Sequence, residues 1–266
     1  MLLFSVPGTG DVHAQDNKPV YAYVSYIKVD RGKSDAYLNH VRSFGQQAYQ
    51  DRINRGEIMG WTLFAVTMRT DRSDDYNFVS VTTTNSLKSI TDPSESTQQI
   101  MKRLRPDMSD NAIADMISQL TQMRVMVGNE ALLRMDELAS LQPGGSKYYE
   151  INYMKAAPGK ESEYEKLESG TFKALHKERQ AVGDINGWAM WKVAYPNSDA
   201  RPYNYVTVNS FSDIDKMVAS DYTAAYRKAF PKGDLTKLIP QTSAARSMHK
   251  TEVWRREIRL SPAPKQ

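Results

Sequence analysis

The sequence predicts an α+β protein made of two tandem β-α-β-β-α-β units, and three observations carry that prediction. The pattern R-x3-G-x-I-x-G-W occurs twice, at residues 52–61 and 179–188, an offset of 127. The same offset pairs Tyr26 with Tyr153, Gly32 with Gly159, Tyr37 with Tyr164 and Tyr76 with Tyr203, with no gap between them. Further on, an offset of 122 pairs Arg124 with Arg246, Glu130 with Glu252 and Arg134 with Arg256. Self-similarity on this scale divides the 266 residues into two units of ordinary domain size, 18–141 and 147–260. The stretch QPGGS at 142–146 is the linker and 261–266 a loose tail.

Each element has a local reason. Residues 20–28, VYAYVSYIK, alternate aromatic and β-branched side chains as a strand does, and 147–155 are their copy. Residues 33–55 and 160–182 carry apolar residues at helical spacing: Tyr37, Val41, Phe44 and Ala48 in one, Tyr164, Leu167, Thr171 and Leu175 in the other. Gly56 and Gly183 stand where a helix would end on a left-handed residue. Second strands are expected at 61–68 and 188–195, and third strands at 76–84 and 203–211, after polar loops. Helical segments follow at 87–90, 96–104 and 111–126, and at 214–230 and 235–248, the last interrupted at Pro240. By propensity EALLRMDEL (130–138) reads as helix, but its copy TEVWRREIRL alternates and contains Val, Trp and Ile. Copies share a conformation, so both are assigned as strands.

Composition narrows the function classes. Hydrophobic residues at 40% and charged residues at 25% are ordinary for a globular chain. A net charge of +4, with acids and bases interspersed, argues against a nucleic-acid partner. No apolar run reaches the roughly 20 residues of a membrane span. The absence of cysteine excludes disulfides and thiolate chemistry. There is no H-E-x-x-H, no G-x-S-x-G and no phosphate-binding glycine motif, so a metal or nucleotide cofactor is not expected. The apolar run at 2–6, followed by Val12-His13-Ala14, reads as the back half of a secretory signal cleaved after Ala14. The expected location is periplasmic or secreted.

A-P-G-K-E-x-E-Y at 157–164, between the first strand and its helix, and G-W opening the second strand resemble the dimeric α/β-barrel superfamily of ferredoxin-like folds. The resemblance covers nearly all of residues 18–260. It implies two ferredoxin-like units packed sheet to sheet as an intramolecular, pseudo-twofold α/β barrel with helices outside. Members of that superfamily include cofactor-independent monooxygenases, isomerases and haem proteins, so the resemblance specifies a fold and not a chemistry. The G-x-x-D-G stretch expected of its peroxidase-like haem branch is absent.

Strand parity sorts residues into two faces. Ala22, Val24 and Tyr26, with Tyr149, Ile151 and Tyr153, form an apolar set assigned to the helices; Tyr21, Tyr23, Ser25 and Ile27, with Tyr148, Glu150, Asn152 and Met154, form a mixed set assigned to the space between the sheets. That places a small organic ligand among Glu130, Arg134, Glu150, Asn152, Glu252 and Arg256, with Tyr23, Tyr148, Tyr205 and Trp254 as walls. The alternative is that these charges form cross-strand ion pairs. Glu130 and Arg134, four strand steps apart, lie too far from each other to pair. Among unlike positions Glu150 faces Tyr23 and Lys192 faces Ala65 in the repeat, where a site confined to one copy would show. His40 is expected in the semi-core with its hydrogen bonds made, His176 on a helix surface, and Arg52 and Arg179 in structural roles. Three functions follow: small-molecule binding by a monomer or homodimer, a cofactor-independent monooxygenase or isomerase with a tyrosine or glutamate as acid/base, and a non-catalytic interaction protein.

Overall fold

The alternating stretches become strands, in a computed structural model that describes residues 18–71, 73–141 and 144–263; the expected leader lies outside them. The first half runs β1 (Tyr21–Val29), α1 (Ser34–His40), a π-helical segment (Val41–Gly45), α2 (Gln46–Asn54), β2 (Gly60–Arg69), β3 (Phe78–Thr84), α3 (Lys88–Thr91), α4 (Thr97–Leu104), α5 (Asp110–Gln122) and β4 (Arg124–Leu138). The second runs β5 (Tyr148–Ala156), α6 (Glu161–Lys166), a π-helical segment (Leu167–Phe172), α7 (Lys173–Ala181), β6 (Gly187–Tyr195), β7 (Tyr205–Phe211), α8 (Ile214–Ala219), α9 (Tyr222–Ala229), α10 (Leu235–Ala245) and β8 (Arg246–Leu260).

All eight strands close one antiparallel barrel in the order β1-β3-β2-β8-β5-β7-β6-β4. The seams between halves are made by the two 15-residue strands. In them β8 pairs with β2, Phe64 opposite Arg256, and β4 pairs with β6, Leu132 opposite Val193. Closure leaves no sheet edge along those seams.

Several expected boundaries move. The long first helix of each half contains a π-helical segment at the matching place. Gly56 and Gly183 follow these helices at φ +72° and +78°, a conformation that suits glycine. The helix expected through Met126 stops at Gln122, because the following residues pair with β1. The 214–230 segment is two helices, each N-capped by an aspartate, Asp213 and Asp221. Pro240 does not interrupt α10.

The principal correction concerns the faces. The barrel interior is filled by the apolar set, Ala22, Val24, Leu132, Ile151, Tyr153, Val193, Val206 and Trp254 among them. The mixed set faces the helices: Ile27 packs with Tyr37, Val41 and Trp61, and Met154 with Tyr164, Leu175 and Trp188. In β1, β3, β5 and β7 the sets were read correctly and their directions were exchanged, whereas Glu130, Glu252 and Trp254 of β4 and β8 do face the interior. Both faces are buried, one by helices and one by the opposite sheet, so hydrophobicity alone does not orient them.

Candidate functional site

The predicted site residues fall into two places. Glu130, Glu252 and Trp254 lie inside the barrel. Tyr148, Glu150, Asn152 and Tyr205 lie on the outer face under the second-half helices, and Tyr23 shares that face with its ladder partners Thr82 and Ala131. The two groups lie on opposite faces of the barrel wall. Arg134 donates to the nearby Glu137 at 2.7 Å, while Arg256 keeps a buried Nη1 without a protein partner.

Inside the barrel the two glutamates are closed off by protein donors. Glu252 is fully buried and accepts from Tyr76 at 2.6 Å, Trp254 Nε1 at 2.8 Å, Lys250 at 2.9 Å and Tyr153 at 3.2 Å. Its counterpart Glu130 accepts from Tyr26, Tyr203 and Arg201. Each carboxylate therefore receives one tyrosine of its own half, Tyr26 or Tyr153, and one from the other half, Tyr203 or Tyr76. Burial, and after it the facing carboxylate, pushes Tyr76, Tyr153 and Tyr203 well above the usual phenol range. These hydroxyls are fixed donors rather than bases. Lys250 and Arg201 supply the ion-pair partners of the two carboxylates.

Open space lies in the first half between helices and sheet. A cavity of about 160 Å³ is lined by Tyr37, Phe44, Tyr49, Arg52, Trp61, Ser80 and Arg124, with Val41, Ala48 and Leu120 completing its apolar wall. The helical stripe delivers Tyr37, Val41, Phe44 and Ala48 to it, and the outer parity of β2 and β3 delivers Trp61 and Ser80. Tyr49 stacks on Trp61 at 4.4 Å and 12°, and the Trp61 indole donates to Ser80 Oγ at 2.8 Å. Arg52 is tied to Glu57 and to the Ser89 carbonyl. Arg124 stands beside the Tyr37 hydroxyl and opposes the rise that burial gives it.

The matching place in the second half holds polar groups. His176 is buried, against expectation. It occupies the position of Tyr49, stacks on Trp188 at 5.7 Å and 22°, and meets Arg179 at 3.1 Å through Nδ1. Burial, then the guanidinium, lowers its pKa to about 3, so it is neutral. Charged neighbours Lys177 and Glu178 hid this in the sequence; the alignment with Tyr49, one turn from Arg179, was the available signal. Arg179 is fully buried, donates to Ser220 Oγ at 2.6 Å and lies 4.0 Å over the Tyr222 ring. Glu150 accepts from Asn209, which pairs with Trp188 across the ladder. Burial raises the carboxyl of Glu168, on the π-helical segment, to about 7, opposed by Tyr164 and Arg246. In the first half His40 is buried with Nε2 unpartnered, so its expected hydrogen bonds are not all made. Among the described residues no group of three or more His, Asp or Glu side chains is placed to hold a metal ion, and no helix is long and apolar enough to cross a membrane.

Neither a family description nor a curated protein matches the chain. Solved structures do. A candidate monooxygenase from Fusobacterium nucleatum subsp. nucleatum is similar at TM-score 0.58 and 9% identity, covering 94% of this chain and 97% of its own. One from Lactobacillus acidophilus NCFM is similar at 0.53 and 8%, covering 92% and 96%. A mutant chlorite dismutase from Candidatus Nitrospira defluvii, in complex with cyanide, is similar at 0.50 and 8%, covering 90% and 91%. At these identities the likeness shows the fold alone and leaves the chemistry to the residues.

Proposed function

We propose that the chain binds a small, single-ring aromatic molecule bearing an oxygen, such as a phenol, in the first-half cavity between helices and sheet. The observation that carries this is the cavity's size and lining. A space of about 150 Å³ accommodates benzene in other proteins, and this one, at about 160 Å³, offers stacked Tyr49 and Trp61, apolar Phe44 and the polar Ser80, Tyr37 and Arg124. Aromatic walls with few convergent polar groups suit such a ligand. A haem is too large for this space. The proposal further reads the chain as two tandem ferredoxin-like units, 18–141 and 147–260, supported by the repeat offsets and by the equivalent strand orders β4-β1-β3-β2 and β8-β5-β7-β6. It places the mature protein outside the cytoplasm on the 12–14 cleavage pattern, which an intact mass after export would test.

The second reading is a cofactor-independent oxygenase acting on the same ligand. Arg124 in the lining favours it, since a guanidinium group stabilises a phenolate. Calorimetric titration with p-cresol tests both readings at their shared step. Saturable one-site binding is expected, at least tenfold weaker in Ala48→Leu, whose side chain fills the cavity. Equal titrations of the two proteins, or no binding by either, would refute the site. Oxygen uptake with p-cresol then separates enzyme from binder.

A further inference from the structure

The two 15-residue strands begin before their seams do. Pairing of β4 with β6 starts at Ala131, opposite Tyr195; pairing of β8 with β2 starts at Glu252, opposite Arg69, and Thr70 adds one backbone contact to Thr251. Ahead of those points, residues 124–130 of β4 pair with β1 alone and residues 246–250 of β8 with β5 alone. Among the described residues no other backbone hydrogen bond closes the second edge of either segment. The two segments are exposed alike, three residues in a row at 125–127 and at 247–249. Met126 and Met248, equivalent in the repeat, are 45% and 48% exposed; Met68 and Tyr195, equivalent at the ends of β2 and β6, are 45% and 71% exposed. Duplication has set bare apolar residues beside a bare strand edge twice, at the one end of the barrel where β2 and β6 finish.

An unpaired edge presents N–H and C=O groups at ladder spacing, which suit another extended strand, and natural edges are guarded by charge or proline. Residues 125–129, Val-Met-Val-Gly-Asn, have neither. At the β8 edge the charge present is Lys250, and it is turned to the buried Glu252.

The placement of the two edges names what covers them. β4 and β8 stand four places apart in either direction round the eight-stranded ring, on opposite sides of the barrel. Each free edge faces the strand on the same rotational side of it, β6 for β4 and β2 for β8. One twofold axis crossing this end of the barrel, at right angles to its length, therefore brings β4 against β4 and β8 against β8 of a second copy in a single operation. Both contacts are antiparallel, and the second barrel extends away from the first. A single bound peptide would cover one edge and leave the other bare. We propose that this end of the barrel is the interface with a second copy of the chain, two barrels joined end to end by strand addition at β4 and at β8. The proposal stands independently of the aromatic ligand in the first-half cavity.

The experiment is sedimentation equilibrium of the full chain at about 1–100 μM, where an interface of standard size is populated. Wild type is expected at twice the chain mass in the upper part of that range. Met126→Lys and Met248→Lys each set a charge near its own symmetry mate and should each raise the dimer dissociation constant roughly tenfold. The double variant should be a monomer with the circular dichroism of wild type, whereas Val182→Lys, at an exposed apolar residue closing α7, should leave the dimer unchanged. Hydrogen exchange of wild type gives a reading that needs no substitution: the amides of 125–129 and 247–250 should exchange more slowly as concentration rises. A monomer at every concentration, a dimer that survives the double substitution, or exchange at these amides that ignores concentration would each overturn the proposal.

Discussion

The Tyr76 hydroxyl donates to Glu252 at 2.6 Å across 176 positions of sequence, tying the first half of the chain to the second inside the barrel. Tyr203 and Glu130 make the reciprocal contact at 3.0 Å. The two halves thus exchange a hydrogen bond to a buried carboxylate in each direction, besides sharing two strand seams.

Glu252→Ala should cost about 3–5 kcal/mol, because it removes the buried acceptor shared by Tyr76, Tyr153, Trp254 and Lys250 and leaves Lys250 only the longer contact with Asp71 at 3.6 Å. Tyr76→Phe should cost about 1–3 kcal/mol, one hydrogen bond to a charged group. Arg134→Ala, which breaks only a solvated ion pair with Glu137, should stay within about 1 kcal/mol. Urea unfolding measures all three; equal costs for Glu252→Ala and Arg134→Ala would contradict a buried, cross-half network.

Stability should depend on pH through two groups of opposite sign. Glu168 titrates at about 7 in the fold, against an ordinary value of 4.5. Its contribution is complete below 4.5 and is lost as pH rises through 7, on the order of 3 kcal/mol. Glu168→Gln should therefore be more stable than wild type at pH 8 and similar to it at pH 4. His176, lowered from 6.5 to about 3, contributes stability above 6.5 that is lost as pH falls through 3. His176→Gln should remove that acid-side loss. Unfolding curves from pH 3 to 8 test both signs.

Arg179→Met should destabilise the protein more than Arg52→Met. Arg179 is fully buried against Tyr222 and Ser220, whereas Arg52 is partly exposed and shares its charge with Glu57. Thermal melts of the two variants give the comparison; a larger loss in Arg52→Met would contradict it.

What the sequence made legible follows from what repeats or alternates. The offset of Trp61 and Trp188 located the second strands to within a residue, and the alternation in TEVWRREIRL outweighed the helical propensity of its copy. Parity separated Tyr153 from Asn152 but gave no direction, since Asn152 is bonded to Thr251 and as well buried as the interior residues. The partners of Glu130 were not legible: Tyr26 and Arg201 lie 104 and 71 positions away and meet it only once the barrel closes. Nor was the contrast between Ser80 and Thr207, a difference of one methyl group whose effect appears only in the bond that Trp61 makes and Trp188 lacks.

The central claim is that a single aromatic ring enters the cavity beside Trp61, and the indole N–H signals of the four tryptophans test it most directly. With p-cresol added to ¹⁵N-labelled protein, the Trp61 signal, assigned by its loss in Trp61→Phe, is predicted to shift saturably while that of Trp254 inside the barrel stays fixed. A shift of Trp254 with Trp61 unmoved would put the ligand between the sheets and contradict the account, and the absence of any saturable shift would remove the first-half cavity as a site.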